Sequence, residues 1–146
     1  MLKNSKVDIY SQNEKAKTTA IGRNSTAATG SLLAKESGLN NSKIEVFSQN
    51  QNSKTTAKGE NSTAITGSVL LEKANLTNTK IHVSSQNKNA VTTASGKGST
   101  AATGSVIIKG STLKNANVYV SSQNNNATTI ASGRNSTATT GSIIIE

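Results

Sequence analysis

The chain has 146 residues, of which 32% are hydrophobic and 2% aromatic, with two Tyr, one Phe and no Trp. A compact helical or α/β domain of this length buries several large aromatics and many leucines, so that class is excluded. The formal charge of +9, from 16 Lys and Arg against 7 Asp and Glu, favours weak contact with anionic polymers. The basic residues form no run and no aromatic platform accompanies them, so specific nucleic-acid binding is not expected.

In chain order, Leu2 opens a lattice that returns at Leu39, Leu76 and Leu113, with no gap anywhere. Next comes KVDIYSQN at Lys6, which sits over KIEVFSQN at Lys43, KIHVSSQN at Lys80 and NVYVSSQN at Asn117. Val7 and Ile9, Ile44 and Val46, Ile81 and Val83, and Val118 and Val120 alternate with polar positions, the period of a half-buried strand. With the leucines they are the expected core columns. Ser-Gln-Asn follows in every copy, and Gln12, Gln49, Gln86 and Gln123 beside Asn13, Asn50, Asn87 and Asn124 are the expected side-chain ladders.

After a polar turn, Thr18 and Ala20 recur, and then GRNSTAATGS at Gly22 returns as GENSTAITGS, GKGSTAATGS and GRNSTATTGS. The glycines suit corners that need positive φ, and the alanines suit close packing between coils. A second apolar run closes each unit: Leu32-Leu33, Val69-Leu70-Leu71, Val106-Ile107-Ile108 and Ile143-Ile144-Ile145. Lacking a polar face, it is either buried on both sides or placed at a seam. Behind it Lys35, Glu72, Lys109 and Glu146 alternate in sign, and Glu36 is answered by Lys73. Opposite charges on stacked rungs help and like charges oppose, so this column selects register.

Disorder competes with this reading, because Asn, Ser, Thr and Gly abound. Fixed apolar columns and the absence of proline, which leaves every N–H free for a ladder, argue against it. The expected architecture is all-β: a β-solenoid of four 37-residue repeats, one domain over residues 2–146 with units 2–38, 39–75, 76–112 and 113–146. NSKIEVFS at Asn41 and NSTAITGS at Asn61 look like cognate half-units, so two windings per repeat are favoured over one. No unit differs enough to be a cap, and stacking of identical chains end to end is the expected outcome.

TTAIGRNSTA at Thr18 and TTASGKGSTA at Thr92 resemble the pseudo-repeats of the fungal HET-s prion-forming domain, and NSKIEVFSQN at Asn41 is similar to curli-type bacterial amyloid repeats. The curli pattern differs in placing its Gln one residue nearer the Ser and following it with Gly. Both resemblances imply self-templated stacking of a β-solenoid.

Few residues could carry catalysis. His82 is the lone histidine, in a column with Asp8, Glu45 and Tyr119, which reads as an exposed strand face. No acid pair recurs at glycosidase or metal spacing, no cofactor motif is present, and with no cysteine there is neither disulfide nor thiolate site. Thr18, Thr26 and Thr29 columns raise an ice-binding face, without the repeated Thr-x-Thr pairing such a face needs. Asn24-Ser-Thr, Asn61-Ser-Thr and Asn135-Ser-Thr read as turns rather than glycosylation sites. The chain has no secretory leader core and no apolar stretch long enough for membrane insertion. The expectation is a non-enzymatic structural protein, extracellular or on a cell surface, whose partner is itself in a homopolymer. The alternatives are a monomeric adhesin segment that binds glycan, and a signalling amyloid that seeds a partner carrying the same unit.

Overall fold

The computed structural model describes residues 2–146, with the backbone alone for Leu2. The first rung holds β1 (Leu2–Lys3), β2 (Lys6–Glu14), β3 (Lys17–Ile21), β4 (Thr26–Thr29) and β5 (Leu32–Lys35). The second holds β6 (Gly38–Asn40), β7 (Lys43–Gln51), β8 (Lys54–Lys58), β9 (Thr63–Thr66) and β10 (Val69–Glu72). The third holds β11 (Asn75–Thr77), β12 (Lys80–Lys88), β13 (Val91–Ser95), β14 (Thr100–Thr103) and β15 (Val106–Lys109). The fourth holds β16 (Thr112–Lys114), β17 (Asn117–Asn125), β18 (Thr128–Ser132), β19 (Thr137–Thr140) and β20 (Ile143–Ile145).

Each strand pairs in parallel with the strand five places along, giving five four-stranded sheets. The register joins equivalent residues, such as Val7 with Ile44, Ile81 with Val118 and Gln49 with Gln86. The chain is therefore a β-solenoid of four turns. One winding takes one whole repeat, which corrects the expectation of two. The half-units around Asn41 and Asn61 never pair: β7 lies between β2 and β12, while β9 lies between β4 and β14.

The physical reason lies in the strands that close each unit. Val69, Leu70 and Leu71 are all fully buried, so β10 needs apolar partners on both faces. Leu70 and Ile107 pack with Ile65 and Ala102 of the preceding strands, whereas Val69, Leu71, Val106 and Ile108 pack with Leu39, Ile44, Val46, Ile81 and Val83. A winding of half the length could not supply two partners. Instead each coil folds back on itself: the β2-type strand forms the outer wall, the β3- and β4-type strands face each other across an alanine layer, and the β5-type strand fills the middle. That layer is built from Ala27, Ala57, Ala64, Ala94 and Ala101, whose size lets the two sheets approach closely.

Corners follow a short rule. A residue with positive φ is followed by a small one that points inward, and a hydroxyl there donates to the carbonyl two residues back. Ser31 to Thr29, Ser37 to Lys35, Ser68 to Thr66 and Thr79 to Thr77 are examples, at 2.8 to 3.1 Å. Asparagine holds most non-glycine corners: Asn4, Asn41, Asn78 and Asn115 have φ of 48 to 51°. Its short amide tolerates this conformation better than other side chains.

Candidate assembly surface

The β2-type strands carry both amide ladders on opposite faces. Asn13, Asn50, Asn87 and Asn124 point inward, the Nδ2 of each of the first three donating to the next Oδ1 at 2.8 to 2.9 Å. Each amide also donates to the serine two residues earlier, as from Asn50 to Ser48 and from Asn87 to Ser85 at 2.9 Å. Asn50 and Asn87 are 2% exposed, so both amide protons are satisfied in a place where an unmet polar group would be costly.

The glutamines point outward, with Gln12 donating to Gln49 at 3.2 Å and Gln49 to Gln86 at 3.3 Å; Gln123 continues the column in register with Gln86. Grooves of about 580 and 490 Å³ flank this ridge. On the same face Tyr10 stacks on Phe47 with centroids 5.1 Å apart, and His82 meets Phe47 edge-on at 5.8 Å.

The charge column stands in register at the ends of the β5-type strands. Lys35 pairs with Glu72 at 3.0 Å and Lys109 with Glu146 at 3.4 Å, while Lys109 also donates to Thr100. Beside it Lys73 lies 3.7 Å from Glu36. Two further ion clusters were not anticipated. Arg23 donates twice to Glu60 across the rung, and these bonds, with the guanidinium charge, hold the Glu60 carboxyl below its ordinary value. Glu45 lies near Lys43 and Lys6; the hydrogen bond from Lys43 does most to lower its value, against partial desolvation.

The largest feature that composition concealed is inside. Thr18 and Thr29 do not line an outer face, as the ice-binding idea required; they face each other between the β3- and β4-type strands. Their hydroxyls form one chain along the axis through Thr18, Thr29, Thr55, Thr66, Thr92, Thr103, Thr129 and Thr140, with links of 2.7 to 3.0 Å. From Thr140 to Thr55 each hydroxyl donates to the next. Four identical threonines in each of two columns signalled a ladder; only the fold shows that the columns meet. The Thr26 column lies on the opposite face of its strand, beside the charge column.

Core columns divide by rung. Leu39, Ile44, Val46, Leu76, Ile81 and Val83 are at most 3% exposed, whereas Val7, Ile9, Leu113, Val118 and Val120 pack against them from the end rungs and are only partly buried. The Leu2 side chain lies outside the described residues, although its backbone pairs with Leu39. His82 is 4.0 Å from Glu45, and among the described residues no three His, Cys, Asp or Glu side chains gather as a metal site would need. No protein-family model matches the chain, and neither does any curated protein or solved structure.

Proposed function

We propose that this protein is structural and builds an unbranched filament by stacking copies of itself end to end. The observation that carries this reading is the register. Every strand pairing between rungs joins a residue to its own equivalent, so the outward face of the fourth rung and that of the first are two sides of one repeating surface. Pairing across such a contact would satisfy the backbone groups of both end rungs, and the apolar columns would become continuous. The resemblance to HET-s and curli-type repeats supports the same mode of growth, and the outer face of amides and scattered charge suits a polymer outside the cell or on its surface. The reading assigns no enzymatic activity.

Negative-stain microscopy and sedimentation of the purified chain test it. Filaments one solenoid wide, growing with protein concentration, are expected; a single species of one chain at all concentrations overturns the proposal. A second reading, a glycan-binding adhesin segment, draws on Tyr10 and Tyr119, which are 71% and 60% exposed on the outer wall. Retention of single chains on an insoluble polysaccharide, lost in the Tyr10→Ala/Tyr119→Ala variant, would favour it instead.

A further inference from the structure

Within the filament reading, on which this inference rests, one atom says how two copies meet. Ser25 Oγ is the one buried side-chain polar atom among the described residues that lacks a hydrogen-bond partner. Its equivalents are satisfied: Ser62 donates to the Gly59 carbonyl of its own rung at 2.9 Å. Ser99 and Ser136 reach the glycine of the rung before, donating to the Gly59 and Gly96 carbonyls at 3.2 and 3.1 Å. Ser25 has no rung before it within the chain. In the pattern of Ser99 and Ser136, the carbonyl that would serve it is the one Gly133 carries at the far end of the stack.

We propose that a second copy docks its last rung beneath the first rung, with residue i of one copy over residue i + 111 of the other. The offset is three times the 37-residue register, and it brings the Gly133 carbonyl of the lower copy to Ser25. Three other features of the two faces meet in that register. A Cβ built on Gly59, Gly96 or Gly133 would run into the glycine carbonyl one rung below, whereas one built on Gly22 meets nothing within 4 Å. The space beneath Gly22 therefore has the shape of a missing rung.

Next, Ala34 stands in the column filled by Leu71, Ile108 and Ile145 in the other rungs. Its small side chain leaves a hollow of about 80 Å³ among Val7, Leu32, Leu39 and Ile44. The opposite face carries Ile143 and Ile145, 43% and 56% exposed, and the register sets Ile145 against Ala34. Finally, the hydroxyl chain crosses from rung to rung at Thr29–Thr55, Thr66–Thr92 and Thr103–Thr129. The next such link joins Thr140 of the lower copy to Thr18 of the upper one, and Glu146 comes to lie under Lys35.

Docking of like faces fails each of these matches. First rung on first rung brings neither Ile145 to the hollow nor the Gly133 carbonyl to Ser25, and last rung on last rung leaves Ile145 with no hollow to enter. Lys3 over Lys114 and Arg23 over Arg134 are like-charge pairs at the rim, where ordinary salt screens them.

The chain has no cysteine, so disulfide trapping is clean. Tyr10→Cys with Ser121→Cys places thiols on one outer column at i and i + 111. Stacked neighbours lie about 4.8 Å apart, within disulfide reach, while in one chain the two are three rungs apart. Oxidation is expected to give a covalent ladder of oligomers, roughly tenfold above the off-register pair Tyr10→Cys with Gln123→Cys. In the same background Ile145→Lys is expected to cut the yield about tenfold, because it brings a charge to an apolar hollow. Ser25→Ala loses no bond within the chain; it should leave the unfolding midpoint unchanged or raise it slightly, and slow elongation roughly fivefold.

Filaments that trap equally in both cysteine pairs, or that join through Tyr10→Cys alone, overturn the docking and leave the filament reading intact. Trapping that ignores Ile145→Lys, or elongation that ignores Ser25→Ala, removes that contact from the seam. Chains that never associate overturn both.

Discussion

The two inner rungs and the two end rungs share a sequence pattern but not an environment. Leu70 and Ile107 are 0% exposed in the middle of the stack, while Leu33 and Ile144, in the same column, are only packed against that core from outside. The same contrast holds for Val46 and Val83 against Ile9 and Val120. Burial here is supplied by the rungs above and below, more than by position within a coil. A solenoid has a one-dimensional core, in which each rung's stability is borrowed from its neighbours. An end rung carries the same pattern of aliphatic positions with half of that support.

The contrast can be broken most forcefully in the aliphatic columns. Leu70→Ala removes a fully buried side chain and should cost about 2–5 kcal/mol, whereas Leu33→Ala should cost well under that because its site is open on one side. Denaturant midpoints of the single chain measure both. In filaments, where a second copy would cover Leu33, the two variants should converge, and a persistent difference would count against stacking.

A smaller effect is expected in the hydroxyl chain. Thr66 accepts from Thr92 and donates to Thr55, all three buried, so Thr66→Val strands two partners at a cost of about 1–3 kcal/mol. Thr140→Val, at the open end, removes a single exposed link to Thr129 and should cost less than about 1 kcal/mol. Equal costs would show that the hydroxyls do not act as a chain.

The smallest effect is electrostatic. Glu45 and Glu60 are held below the ordinary carboxylate value by Lys43 and Arg23. A lowered folded value means stability that is present above the unfolded value and is lost as pH falls through the folded one. Acidification into that range should lower the unfolding midpoint slightly, and Glu45→Gln with Glu60→Gln should flatten that part of the profile. Because both pairs are at the surface, high salt should do much the same. A profile unchanged by the double substitution would show that neither pair contributes.

Much of this was legible in the residues. The 37-residue period set the register and the alternation of Val7 and Ile9 set the outer strand, while the run at Val69 left burial on both faces or a seam open, and the structure buries it on both faces. The charge column at Lys35 and Glu72 emerged as paired as its alternation suggested. What a column cannot say is which other column it faces. The threonines of the Thr18 and Thr29 columns looked like outer ranks because their partnership crosses the coil, at a separation of 11 or 26 residues rather than 37. The winding number was missed for a related reason. Corner chemistry repeats within a unit, so Asn41-Ser and Asn61-Ser look alike although they turn different sheets. The asparagines read as turns at Asn24, Asn61 and Asn135 have positive φ, a conformation that the sequence pattern assigned to the glycines.

Helical reconstruction of the filament by cryo-electron microscopy tests the central claim most directly, because it reads the axial rise per chain. Four rungs spaced by about 4.8 Å, continued without a break from copy to copy, give about 19 Å. A rise near twice that value, about 38 Å, would mean two windings per repeat, and particles of one chain's length with no axial continuation would mean that the rungs end where the chain does.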